Sequence, residues 1–289
     1  MQTRTGNYSI GFRMRGWTNN VSFAEALTWT KQNDLGGVDI GSNADSVGQQ
    51  VLDAGLWIGT VDLRNPRRLL SANPETRAAA VADNKEYIEA CAALGPVTYF
   101  VTMVPEDPTL PRAENFGYMV DSYKQLAPVM EANNARLVIE GWPGPGALCC
   151  TPENFRAFFA AIPSKAMGVN YDPSHLLRMG IDPIRFLKEF IGRVYHVHGK
   201  DTEILADNVY EYGNEQPATF VKAKPFGGFA WRYCIPGHGL TPWCEVFNIL
   251  AAHGYAGRVS IELEDMNFND GGAQELAGTL HAARYLSGT

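Results

Sequence analysis

Short apolar runs alternate with longer amphipathic segments from one end of the chain to the other, the pattern of parallel β/α architecture. Eight runs read as strands: YSIGF (8–12), GVDIG (37–41), WIGTVDL (57–63), VTYFVTM (97–103), RLVIEGW (136–142), MGVNYDP (167–173), RVYHVHG (193–199) and RVSIELE (258–264). Helical segments lie between them. In SFAEALTWTKQNDL, Phe23, Ala26 and Leu27 recur at helical spacing behind Ser22, the predicted N-cap. SANPETRAAAVADNKEYIEACAAL opens in capping-box style before the fourth strand. TPENFRAFFAAI, with Thr151 as cap and Pro152 at the first helical position, precedes the sixth. DPIRFLKEF precedes the seventh, and GGAQELAGTLHAARYL follows the eighth.

Eight β/α pairs close into a barrel more naturally than they stay an open sheet. An open doubly wound sheet would carry a Gly-rich phosphate loop after its first strand, and GFRMRGWTNN is no such loop. The predicted fold is therefore α/β, a single (β/α)8 TIM-barrel domain spanning residues 1–289. Residues 202–240 break the rhythm: they are rich in Gly, Pro and aromatics and lack sustained periodicity. An excursion this long after the seventh strand is expected to be a lid or a subunit contact.

The composition narrows the partners. An apolar fraction of 45% with 19% charged residues is ordinary for a globular protein, and no run approaches the roughly 20 apolar residues of a membrane span. The first residues, MQTRTGNYSIGF, do not read as a secretory signal, so the expectation is a cytoplasmic protein. Five cysteines, Cys91, Cys149, Cys150, Cys234 and Cys244, show no Cys-x-x-Cys spacing and read as reduced structural thiols. A formal net charge of −7 without a basic cluster argues against a nucleic-acid or membrane partner and for a small polar substrate.

In a β/α barrel the chemistry sits where strands end and β-to-α loops begin. The last four strands end in Glu140 (VIEGW), Asp172 (VNYDPSH), His196 and His198 (YHVHGKD), and Glu262 and Glu264 (SIELED). Acids and imidazoles after buried apolar runs are costly unless paired, and a divalent cation removes that cost. Taken singly, Glu140 also fits a hydrogen-bonded strand end and Asp172 a helix cap at Pro173. Carboxylates with one imidazole suit one divalent ion, Mn²⁺ first, with Mg²⁺, Co²⁺ or Zn²⁺ as alternatives. Period-two alternation leaves His196 and His198 on one side of their strand, and Glu262 and Glu264 likewise. The later histidine lies nearer the catalytic end, which favours His198, with His196 one layer below. His253 and His281 fall in helical segments away from this set.

These strings resemble the xylose-isomerase-like barrel superfamily of sugar phosphate isomerases and epimerases, which also holds inosose-processing enzymes and type IV AP endonucleases. VIEGW, YDPSHL, HVHGKDTE, RYCIPGHGLTPW and SIELED stand in the family's order, and the resemblance covers nearly the whole chain. It implies that Glu140, Asp172, His198 and Glu262 hold the metal. It places His175, the histidine of D-x-x-H, beside the substrate, and gives Glu140 and Glu262 a second role as acid/base groups. His175 joins them in the candidate catalytic set, and Trp142, Lys200, Arg232 and His238 complete the candidate substrate-binding set. Trp142, Trp231 and Trp243 are apolar faces on which a sugar ring could stack, with core packing as the first reading.

The implied activity is that of a metal-dependent sugar isomerase or epimerase. A proton next to a carbonyl is removed, the cation stabilises the enediolate, and the proton returns elsewhere. The substrate would be a sugar, a cyclitol or a keto-sugar derivative. The alternative is a lyase or dehydratase in which the same intermediate eliminates a C–O or C–C bond, as in deglycosylation of a keto-sugar or dehydration of an inosose. An AP-endonuclease activity would need a cluster of metals and histidines on the early strands, and the first four contain none. The resemblance also implies a homo-oligomer, a dimer or tetramer, with a heteromeric partner subunit as the other arrangement.

Overall fold

The structure, a computed structural model, describes all residues from Met1 to Thr289. Its centre is a closed barrel of eight parallel strands. In chain order the strands are β1 (Ile10–Arg13), β2 (Gly37–Ile40), β3 (Trp57–Asp62), β4 (Thr98–Thr102), β5 (Arg136–Glu140), β6 (Met167–Tyr171) and β7 (Val194–Gly199). Two strands outside the barrel follow, β8 (Asp201–Ile204) and β9 (Trp231–Cys234), and β10 (Val259–Ile261) closes it between β7 and β1. Each predicted strand overlaps one barrel strand, β1 running one residue further, to Arg13. Their side chains are largely buried: β6 and β10 throughout, and β5 at every position after Arg136. Helices cover one face of such a sheet and the barrel interior takes the other.

The helices are α1 (Phe23–Gln32), α2 (Ala44–Asp53), α3 (Pro74–Ala90), α4 (Arg112–Ala132), α5 (Pro152–Ala161), α6 (Pro173–Arg178), α7 (Pro183–Phe190), α8 (Ala206–Tyr212), α9 (Trp243–Ala252) and α10 (Ala273–Ser287). No helix is long and apolar enough to cross a membrane. Ser22 caps α1 in a full capping box with Glu25, and Thr151 caps α5 ahead of Pro152. The start of α3 differs from its prediction. Asn73 is the cap, its side chain accepting from the amides of Glu75 and Thr76, since an Asn carbonyl directly before Pro74 reaches both free amides.

Two compact units divide the chain. One comprises Met1–Val38, Asp172–Glu189 and Val197–Thr289, the other Asp39–Tyr171 and Phe190–His196. In the first, β1 and β10 pair in parallel, with Phe12 opposite Ile261, and β10 pairs with β7, with Ser260 opposite His198. In the second, β4, β5 and β6 run in register, so that Glu140 lies opposite Asn170.

The excursion after the seventh strand is more ordered than its sequence suggests. β8 and β9 form an antiparallel pair in which Glu203 faces Arg232, and α8 follows β8 directly. Two buried aspartates fasten it. Asp201 accepts from Thr241 N at 2.9 Å, Thr241 Oγ1 at 2.7 Å and Trp243 Nε1 at 3.3 Å. Asp265 accepts from Arg232 Nη1 at 3.0 Å and Ile235 N at 3.1 Å. Trp243 is thereby fixed in the core, 1% exposed.

Candidate metal centre

Asp172 follows β6 directly, and Pro173 starts α6 at once, so one carboxylate serves two surroundings. Its Oδ1 caps the helix, accepting from Ser174 N at 2.9 Å and Ser174 Oγ at 2.6 Å. Its Oδ2 is buried without a hydrogen-bond partner. That atom lies 3.2 Å from Lys200 Nζ, 3.4 Å from His175 Nε2 and 4.0 Å from His198 Nδ1. Both readings of Asp172, cap and inward-facing acid, therefore hold for different oxygens.

His198 is fully buried on β7, and its Nδ1 lies 3.5 Å from Glu262 Oε2. Glu262 comes just after β10 and is 5% exposed. Glu140 ends β5, and its Oε2 accepts a hydrogen bond of 2.8 Å from Asn170 Nδ2. Ligand atoms of Asp172, His198 and Glu262 lie within 4.8 Å of one another, and all three residues are buried, as is Glu140 at the end of β5. Metal–oxygen and metal–nitrogen bonds of about 2.0–2.2 Å put ligand atoms on opposite sides of an ion about 4 Å apart. Asp172 Oδ2, which accepts no hydrogen bond, and this hard donor set fit a divalent cation.

Of the paired alternatives, Glu262 belongs to this group. Glu264 lies closer to solvent and pairs with Arg15 Nη2 at 3.0 Å and Lys200 Nζ at 3.1 Å. His196 lies 3.2 Å from Asp39 Oδ2, while Asp39 Oδ1 accepts from Thr60 N at 2.9 Å. His196, two residues before His198 in the chain, is thus engaged by Asp39.

Lys200 goes further inward than a substrate-contacting side chain. It is 1% exposed and donates to Glu262 Oε2 and Glu264 Oε2, with His175 Nε2 at 3.3 Å. Burial pushes the Glu262 carboxyl up, but the Lys200 ammonium, His198 and Arg15 together hold it well below the usual carboxylate range. Glu262 is therefore ionised at neutral pH.

The structure brings His175 into the cluster. Its Nδ1 lies 2.6 Å from the hydroxyl of Tyr233, which also accepts from Arg178 Nη1 at 2.7 Å. Three other substrate-binding expectations land elsewhere. Arg232 is held between Glu203 Oε2 at 2.6 Å and Asp265 Oδ1 at 3.0 Å, because cross-strand pairing with Glu203 claims its guanidinium. His238 is exposed in the turn that follows β9, its amide donating to Ile235 O. Trp142 is half-buried in the loop after β5, its carbonyl accepting from Gly144 N.

Sequence reasoning passed over Arg13, Arg15 and Tyr233. Arg13 Nε lies 3.5 Å from Glu262 Oε1, and Arg15 Nη1 reaches the same oxygen at 3.0 Å. The signal was present: extending the Phe12–Ile261 register sets Arg13 beside Glu262 and Arg15 beside Glu264. Tyr233 stands on β9, outside the barrel, and had no such signal.

The chain belongs to the xylose isomerase-like TIM barrel family, whose model matches residues 20–287. It is 26% identical over 185 residues to the inosose dehydratase of Clostridium tetani, a match covering 64% of this chain and 58% of that protein. The stretches matched in the first curated relatives span 33% to 58% of their lengths. Among solved structures, 3-keto-D-glucoside 4-epimerase YcjR from E. coli superposes with a TM-score of 0.67 at 16% identity, covering 96% of this chain and 98% of that one. The IOLI protein with a bound zinc atom superposes with a TM-score of 0.68 at 16% identity, covering 96% of each chain. These two structural likenesses concern the fold.

Proposed function

We infer that the protein is a divalent-metal-dependent isomerase or epimerase acting on a sugar, cyclitol or keto-sugar derivative. The observation that carries this reading is the buried group of Asp172, His198 and Glu262, whose ligand atoms converge within 4.8 Å, and Glu140 is the fourth ligand in this reading. Mn²⁺ is the assigned ion on the hardness of three carboxylates and one imidazole. When bound, such an ion polarises adjacent carbonyl and hydroxyl oxygens of a substrate and acidifies the C–H between them.

The protein's own residues then handle the proton. Glu262 is ionised and held in one orientation by Lys200 and Arg15, so it serves as the base. Glu140, fixed by Asn170, is the partner that returns a proton from another side. His175, held by Tyr233, orients the substrate oxygens, and Lys200 keeps the carboxylates and His175 in place. Residues 202–240 serve as a lid or a subunit contact, and the barrel is one domain. The assembly is a homo-oligomer with no nucleic-acid or membrane partner.

A lyase is the second reading. It is favoured by the inosose dehydratase relative and by the proton donors grouped at His175, Lys200 and Tyr233, which suit expulsion of a leaving group. Incubation of the Mn²⁺-loaded protein with sugars, inososes and keto-glycosides in deuterated water tests both. Deuterium at a carbon next to a carbonyl with an epimer as product supports the first reading, an unsaturated product the second. Absence of exchange with every substrate class would remove both.

A further inference from the structure

A cavity of about 140 Å³ lies beside the cluster, at the ends of β1 and β10. Phe12, Trp17, Phe226, Leu263 and Phe268 form its aromatic and aliphatic walls, Arg13, Asn269 and Thr279 add polar atoms, and Arg15 stands on its border with Glu262. Phe12 and Trp17 stack at 5.9 Å and are 2% and 5% exposed, so their rings form a rigid floor. Glu275, also in the lining, is occupied in holding that floor: it accepts the amide of Trp17 and, at 3.1 Å, that of Gly271.

Phe226 is delivered by the excursion. It occupies a left-handed backbone conformation, φ 51°, which is costly for a bulky residue and persists only when the surroundings enforce it. The enforcement is visible. The Phe226 carbonyl accepts from Tyr233 N at 2.8 Å, Gly227 N donates to Lys224 O at 3.0 Å, and Gly227 bridges to Arg232. The turn is therefore pinned to β9, the strand whose Tyr233 holds His175.

We propose that this cavity is a subsite for a second ring, so that the substrate is a glycoside whose reacting sugar lies at the metal centre and whose attached ring occupies the slot. This rests on the carbohydrate reading above. The volume is close to that of the apolar cavities of about 150 Å³ that accept one benzene ring. Aromatic faces with a guanidinium at the rim suit a ring that is apolar on its face and polar at its edge, which describes both a hydroxylated aryl group and a second sugar.

Calorimetric titration of the full Mn²⁺-loaded chain with methyl β-D-glucoside, phenyl β-D-glucoside and cellobiose tests this. We expect phenyl glucoside or cellobiose to bind about tenfold more tightly than the methyl glycoside, and the tighter of the two identifies the ring. Phe226→Ala, which removes one wall, and Leu263→Trp, which fills the slot, are each expected to bring that ratio close to one while leaving methyl glucoside binding and metal content unchanged. Equal affinities for all three glycosides in the wild type, no measurable binding of either two-ring probe, or a ratio that survives both substitutions would overturn the proposal. Metal content and deuterium exchange, followed in the same samples, report separately on the metal reading, since the binding ratio requires no turnover.

Discussion

The Tyr233 hydroxyl lies 2.6 Å from His175 Nδ1, joining a strand outside the barrel to a side chain at its mouth. Arg178 Nη1 meets the same hydroxyl at 2.7 Å, and its guanidinium stacks 4.4 Å from the Trp231 ring. The excursion therefore orients a member of the candidate site. Tyr233→Phe keeps the ring and removes the hydroxyl. Loss of a partner of this kind is expected to lower kcat by about 10- to 100-fold, with a stability loss of about 1 kcal/mol. Steady-state kinetics beside urea unfolding separates the two effects, and unchanged kcat would show that His175 needs no such support.

Lys200 places a buried ammonium among Asp172, Glu262 and Glu264. Lys200→Met would leave Asp172 Oδ2 without its ammonium and Glu262 and Glu264 with the arginines alone. The metal-free variant is expected to lose about 3–5 kcal/mol relative to the metal-free wild type. Mn²⁺ should recover a larger share of stability in the variant, because it supplies the missing positive charge. Denaturant midpoints with and without Mn²⁺ check this, and equal metal stabilisation of both proteins would contradict it.

At the start of α10, Asp270 Oδ1 accepts from Gly272 N at 2.8 Å and Gln274 N at 3.1 Å, and these amides hold its carboxyl below the ordinary 3.8. A carboxyl depressed in the folded state contributes stability above its unfolded value, and that contribution is lost as pH falls through the folded one. Asp270→Ala should therefore lower the thermal midpoint at pH 7, and the gap to wild type should close as the pH drops below about 3.8. Midpoints measured between pH 7 and pH 3 that keep a constant gap would contradict this.

Cys91, Cys149, Cys150 and Cys234 are buried and Cys244 is exposed. Burial pushes the Cys91, Cys149 and Cys234 thiols up, removing the thiolate that alkylation needs. Native protein treated with iodoacetamide is expected to carry one label, at Cys244, and five after denaturation. Peptide mapping reads the outcome, and rapid labelling of Cys149 in the native protein would contradict the packing around α5.

The barrel was legible because its strands are short apolar runs bounded by turn residues, and that local signal needs no knowledge of partners. Glu140, Asp172, His198 and Glu262 were legible for a related reason: each follows such a run, where an acid or imidazole stands out. The pair β8–β9 was not legible. Its pairing sets Glu203 against Arg232, 29 residues apart, and nothing within either tetrad announces the other. Lys200 shows the same limit, since the sequence places it next to the motif while only the folded chain turns its ammonium onto the carboxylates.

Titration of the metal-stripped protein with Mn²⁺, followed by calorimetry, tests the metal centre most directly. One site per chain is expected in the wild type, with affinity lost in His198→Ala and Glu262→Gln while circular dichroism stays that of the folded barrel. A wild-type chain that binds no Mn²⁺, Mg²⁺, Co²⁺ or Zn²⁺, or variants that bind as tightly as the wild type, would contradict it.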